Sequence, residues 1–351
     1  MIDIKLLEQL CLCNGISGDE GNVRNLIINE IKDCADDIKT DNLGNLIVFK
    51  KGKKSAKSKL MVSAHMDEVG LMVTDITSDG YLKFDEVGGI DRRVLPGKRV
   101  CVGRNGLNGV IGLKPIHLTN GDEKTAVPKM SDMYIDIGAE SREDALKYVN
   151  YGDGINFEGD FKINGKTVVT KALDDRFGCY VLINLIKSEP EYDMYFTFVV
   201  QEEVGLRGAR PAAFTVNPDF ALVIESTTAA DVAEVDASHQ VCNLSKGATV
   251  AVMDRATVYD KEMISAAFEL AEKNNIAVQY KRAVAGGNDS GAIHQSRGGV
   301  RTLAVSLPSR YIHAPSTAAN LDDCESVLKL AKVLSDYIAV SYTHLRAHET
   351  V

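Results

Sequence analysis

The sequence predicts an α/β protein, a mostly parallel sheet flanked by helices with a small β-rich domain inserted into it. Three observations lead there. Strand-length apolar runs alternate with helix-period segments over residues 1–69 and again over 166–339. The intervening 70–165 consists of short strands and turn signals with one helix. Neither flank carries enough strands to close a sheet alone, so the two flanks are read as halves of one domain.

The elements follow in order. Leu6, Leu7 and Leu10 mark a first helix, and Val23, Leu26, Ile27 and Ile31 a second that opens after Ser17-Gly18-Asp19. "NLGNLIVFKKG" and "KLMVSAH" read as strands around a basic turn. The β-rich segment contributes "GYLKFDEV", "KRVCVGRNG", "NGVIGLKP", "MYIDIG", "INFEGDF" and, at its end, "KTVVT", with the helix "SREDALKYV" and a polar loop from His117 to Met133. Beyond it, "MYFTFVVQ", "FALVIES", "GATVAVM", "IAVQYKR" and "VRTLAVSL" are strands, separated by helices near 175–188, 206–214, 260–274 and 321–338.

Composition excludes several classes of function. With 351 residues, 45% apolar and 25% charged, the chain can bury a large core, and its formal charge of −9 lacks the basic stripe of a nucleic-acid or anionic-membrane binder. No apolar run is long enough to span a bilayer, and the N-terminus "MIDIKLLEQLCLCNG" has neither a basic n-region nor a cleavage site. A cytoplasmic location is expected. The seven cysteines are scattered and form no CxxC pair, which fits reduced thiols.

The chemistry-bearing residues gather at strand ends. His65 and Asp67 end "KLMVSAHMDE"; Asp174 and Asp175 precede a helix in "KALDDRFG"; Glu202 and Glu203 end the apolar run "MYFTFVVQEE"; Glu225 ends "ALVIES"; His313 follows a strand in "SRYIHAPS". The C-terminal edge of an open α/β sheet is where sites are built. Two imidazoles and several carboxylates converging there suit two divalent ions sharing a carboxylate, zinc first, with cobalt or manganese as alternatives. The adjacent glutamates diverge, so one can hold metal while the other acts as base.

Taken in order, "SAHMDEVG", "KALDDRFG", "QEEVGLRGA", "GGNDSGAIHQSRGGV" and "SRYIHAPS" resemble the tetrahedral (TET) metallo-aminopeptidases, peptidase family forty-two, whose members are also named glutamyl aminopeptidases and endoglucanases. The resemblance covers nearly the whole chain before Val340. It implies a zinc-peptidase-like fold and makes Asp174 the bridging ligand, His65 and Glu225 the remaining ligands of one ion, and Glu203 and His313 those of the other. Glu202 becomes the general base and Asp67 the residue that orients His65 through its second ring nitrogen. It also implies a cis peptide at Asp175. Many relatives carry aspartate where Glu225 stands. The implied activity is removal of the N-terminal residue from short peptides, and the implied assembly is a tetrahedral dodecamer of dimers formed through the inserted, barrel-like domain.

Other readings stay open on sequence alone. A deacylase or carboxypeptidase could use the same centre, and a metal-binding assembly protein would need no turnover. A β-glucan hydrolase would use two carboxylates without metal and aromatic sugar platforms, but the chain has no tryptophan and 6% aromatics. Arg92, Arg93 and the loop "GGNDSG" could touch substrate or a partner subunit, whereas His117, His239 and His294 read as ordinary polar residues. Residues 340–351 resemble the translation of a sequencing adapter and are read as a non-native tail, which sets aside the i,i+4 pair His344 and His348 as a metal site.

Overall fold

The computed structural model describes residues 1–340; the rest of the adapter-like tail, with His344 and His348, lies outside the described residues. Two β systems organise the chain. The larger is an eleven-stranded sheet whose centre is four strands running parallel: Met194–Val199, Leu60–His65, Phe220–Thr228 and Arg301–Arg310, in that spatial order. Leu60–His65 is buried at every position, as a strand covered on both faces must be, and this explains its uninterrupted apolar run. Antiparallel strands extend the sheet on both sides, with Leu46–Lys50 and then Asp37–Thr40 on one. Thr317–Asn320, Thr167–Thr170 and Lys162–Asn164 follow on the other.

"KTVVT", at the start of the 166–339 flank, therefore belongs to the large sheet, as does Lys162–Asn164 from within the β-rich 70–165. Its partner, Thr317–Asn320, lies about 150 residues away in sequence, and Val168, opposite Ala319, is buried in the main core.

The second system is a closed barrel of six antiparallel strands: Gly70–Ile76, Leu82–Val87, Tyr134–Asp136, Leu107–Gly112, Arg99–Val102 and Gly154–Phe157 around the ring. It has its own core, in which Leu71, Val73, Leu82, Val100, Ile111, Ile135 and Ile155 are all buried. The chain enters the barrel five residues after His65 and leaves it shortly before Asp174. No helix among the described residues is long and apolar enough to cross a membrane.

The helix Leu173–Lys187 packs beneath the parallel strands, with Phe177, Tyr180, Val181 and Ile183 buried. Beside its first turn lies an ionic cluster. Glu68, Lys171 and Arg176 are 3%, 2% and 0% exposed. Lys171 Nζ donates to both Glu68 oxygens at 2.8 and 3.0 Å and to Asn14 Oδ1 at 3.0 Å. Arg176 donates to the carbonyls of Met66, Leu10, Cys13 and Gly15 and to Glu68 Oε1 at 3.1 Å. The cluster thus ties the N-terminal helix Ile4–Leu12, the end of the histidine-bearing strand and the approach to Asp174 into one unit.

Candidate active site

The expected site residues leave five elements at one edge of the parallel strands. His65 is the last residue of its strand and lies beside Val199, the last of the neighbouring strand. Glu202 and Glu203 follow that neighbour, Glu225 lies within Phe220–Thr228, and His313 follows Arg301–Arg310. Asp174 stands at the start of the helix Leu173–Lys187, and the Asp174–Asp175 peptide is cis.

Asp174 sits between the two histidines. Its Oδ1 is 3.5 Å from His65 Nε2 and its Oδ2 is 3.4 Å from His313 Nε2. Glu225 Oε1 is 3.4 Å from His65 Nε2, and Glu203 Oε2 is 3.3 Å from His313 Nε2. Those separations are too long for good hydrogen bonds. They match the spacing of donor atoms around a tetrahedral ion, because ligands about 2.1 Å from such an ion stand about 3.4 Å apart. Asp174 Oδ1 and Glu225 Oε2 are buried and have no hydrogen-bond partner, as acceptors kept for a cation would be. The donor set, imidazole nitrogen with carboxylate oxygen, fits zinc, cobalt or manganese. Glu202 Oε2 stands 4.0 Å from His65 Nε2, and with His65 and Glu203 it forms a third group close enough to share an ion, beside the triads His65–Asp174–Glu225 and Asp174–Glu203–His313.

Asp67 does more than the sequence disclosed. His65 Nδ1 meets the main-chain carbonyl of Asp67 at 3.0 Å, while the Asp67 carboxylate is 3.4 Å away. A neutral His65 thus keeps its hydrogen on Nδ1 and a lone pair on Nε2. The carboxylate itself accepts from the amides of Glu202 at 3.0 Å and Glu203 at 3.1 Å and from Ser17 Oγ at 2.5 Å. It therefore fixes the backbone from which both glutamates project.

Burial governs the electrostatics. It pushes Glu203 up to about 8 and Glu225 up to about 7, with Asp174 adding to both shifts. Burial likewise raises Glu202 far above its ordinary range, reinforced by Glu225, Asp289 and Glu203 although His65 opposes the shift. Burial opposes the charged form of His313, yet Asp174 and Glu203 carry it up to about 9. Asp174 is the exception: burial works against its anion, but His313 and His65 hold it below the usual carboxylate range. Such a cluster needs positive charge.

The centre opens into a cavity of about 380 Å³. Gly286, Gly287 and Asn288 of "GGNDSG" line it, as does Lys281, which the sequence reading did not single out. A cation at the end of a strand, beside a glycine-rich loop, was the signal available. Asp289 of the same stretch is fully buried, neither of its oxygens has a hydrogen-bond partner, and burial raises it to about 8. Arg92, Arg93, His117 and His239 are exposed and off the cavity wall, and the His294 ring meets the Ser290 carbonyl.

Comparison with known proteins agrees with this geometry. The family model described as M42 glutamyl aminopeptidase matches residues 44–330. The chain is 44% identical over 327 residues to a putative aminopeptidase of Acetivibrio thermocellus, covering 93% of this chain and 96% of that protein. It is 33% identical to the lysyl aminopeptidase of Pyrococcus furiosus, with coverage of 95% and 97%. Among solved structures, the Pyrococcus horikoshii TET1 peptidase, described as able to assemble into a tetrahedron or a large octahedral shell, superposes with a TM-score of 0.83 at 38% identity, covering 96% of this chain and 99% of that one. With its histidine- and carboxylate-bearing strand ends, inserted barrel and end-to-end similarity, the chain belongs to the M42 glutamyl aminopeptidase family, a family of peptide hydrolases.

Proposed function

We propose that the chain is a dinuclear metallo-aminopeptidase that removes the N-terminal residue of short peptides. Asp174 is the shared ligand, His65 and Glu225 complete one site, and Glu203 and His313 the other. The observation that carries this reading is the placement of the two Asp174 oxygens, each facing a different histidine that a second carboxylate accompanies. When bound, the divalent ions supply Lewis acidity that polarises the scissile carbonyl and makes a water acidic. Glu202, whose carboxylate stands 4.0 Å from His65 Nε2, takes the proton of the attacking water and returns it to the leaving amine. Asp67 holds Glu202 and Glu203 at fixed offsets through their amides. Zinc is the expected metal, with cobalt or manganese as alternatives. Self-association through the barrel into dimers and a tetrahedral shell, and residence in the cytoplasm, belong to the same proposal.

Metal removal tests it. In chelator-stripped protein, carboxyls raised from 4.5 toward 7 or 8 hold protons that the unfolded chain has already released. His313, raised from 6.5 to about 9, adds stability that is complete below 6.5 and lost as pH rises through 9. Asp174 has the opposite sign but acts only below its ordinary value of 3.8. The melting temperature of stripped protein should therefore fall from pH 5 to pH 8. Reloading with zinc or cobalt should remove that fall, restore hydrolysis of aminoacyl-p-nitroanilides and bring metal content to two ions per chain. N-acetylated peptides should remain uncut. Saturation at one ion would overturn the dinuclear reading, and cleavage of blocked peptides would favour a deacylase or carboxypeptidase.

A further inference from the structure

The strand Met194–Val199 stops short of Glu202, so the amides that follow it have left the sheet and need other acceptors. Four in a row find them on distant side chains. The Val200 amide donates to Asn45 Oδ1 at 2.9 Å and the Gln201 amide to Glu20 Oε1 at 3.2 Å, while those of Glu202 and Glu203 go to the two Asp67 oxygens. Of these four residues Gln201 alone has left-handed backbone, with φ at +57°, a conformation that a residue with a Cβ adopts only when its surroundings hold it there. It stands immediately before Glu202 and sets the direction in which that side chain leaves.

Glu20 precedes the helix Gly21–Ile31 and is 4% exposed. Its Oε1 also accepts from the Gly18 amide at 2.7 Å, and among the described residues its carboxylate meets these two amides and no cation. A buried anion held by amides alone is a costly way to close a turn. The same turn is fastened to the segment that follows His65. The Glu68 amide donates to the Gly15 carbonyl at 3.1 Å, Ile16 and Glu68 form a β-bridge, and Ser17 Oγ donates to Asp67. Glu20 therefore joins two parts of the site, the strand end that bears His65 and the left-handed residue that precedes Glu202.

We infer that Glu20 is a positioning residue for hydrolysis: by holding the Gln201 amide it fixes the backbone from which Glu202 projects, and so sets where the base meets the water it deprotonates. The inference rests on the assignment of Glu202 as base proposed above. A misplacement of about 1 Å in a reacting group costs up to about a hundredfold in rate, so a lost anchor one residue away is felt in the chemical step. Neither Glu20 nor Gln201 lines the cavity, and Glu203 keeps its own anchor on Asp67. Substrate binding and metal content therefore stay as they are while turnover falls.

The test is a double-mutant cycle between Glu20 and Glu202 on the metal-loaded, full-length enzyme, with the aminoacyl-p-nitroanilide it cleaves fastest. Glu20→Ala should lower kcat by about tenfold to a hundredfold, with KM within about twofold and metal content unchanged. Glu20→Gln keeps an acceptor oxygen and should stay within about threefold of wild type. In a Glu202→Gln background Glu20→Ala should cost less than about twofold, because no base is left to place. Asp323→Ala is the control for fold: that buried carboxylate also accepts two amides, those of Ser245 and Gly247, and none of the three lines the cavity. It should lower the melting temperature without the loss in kcat. An equal loss in both Glu202 backgrounds, no loss in Glu20→Ala, or the same loss in Asp323→Ala overturns the inference and leaves Glu202 as the base. A Glu202→Gln enzyme as fast as wild type overturns both. Should Glu20→Ala not fold, Glu20→Asp takes its place in the cycle, since the shorter side chain cannot reach the Gly18 and Gln201 amides together, and the same outcomes decide.

Discussion

Glu202→Gln should slow turnover by about 10²–10⁴ while both metal ions stay bound. The amide keeps the size of the carboxyl but cannot accept a proton. In the proposed assignment Glu202 is the base rather than a ligand, and its main-chain amide would still donate to Asp67. The partner substitution Glu203→Gln should behave differently, because it replaces the proposed anionic ligand facing His313 with a neutral one. It should lower metal content as well as rate. Metal analysis beside kcat separates the two roles. If Glu202→Gln loses an ion and Glu203→Gln keeps both, the assignments are exchanged; if neither changes hydrolysis, "QEEVG" does not carry the chemistry.

The largest expected loss of stability comes from Glu68→Ala, at about 3–5 kcal/mol. Lys171 and Arg176 are almost wholly buried, and Glu68 is the anion that faces both. Removing it strands two cations where water does not reach. Arg176 would keep its four main-chain carbonyls, whereas Lys171 would keep only Asn14 Oδ1. Lys171 is therefore the source of most of the cost. Glu68→Gln, which preserves an acceptor, should cost less. The urea midpoint at unchanged m value measures both; a shift below about 1 kcal/mol for Glu68→Ala would mean that water or a rearranged side chain reaches Lys171.

What the sequence disclosed follows from how each feature is encoded. His65, Glu202, Glu203 and Glu225 interrupt apolar strands, and a polar group at the end of a buried strand is visible without knowing its neighbours. The four central strands were legible for the same reason. The pairing of Thr167–Thr170 with Thr317–Asn320 was not, because neither segment carries its partner's address. Asp67 was read as a group serving His65, yet its carboxylate bonds to amides about 135 residues further on, contacts that local pattern cannot contain. The helix over 206–214 begins instead at Ala209, since Glu202 to Gly208 is taken up by turns that carry the site. Lys281 looked like one charge among many until the fold placed it on the cavity wall.

The margins of the two β systems bear on how this molecule meets others. The large sheet ends in Asp37–Thr40 on one side, Lys162–Asn164 on the other and Val278–Tyr280 on a branch, strands of four, three and three residues that are half-buried or exposed. The six-stranded ring has no free margin at all. Neither system offers a long, flat row of unpaired amides and carbonyls onto which another chain could zip. A second copy approaching the ring must therefore be recognised through side chains and turns, whose fit depends on shape and charge. Single substitutions there can then tune or abolish association without touching the hydrogen-bond ladders that hold each subunit together.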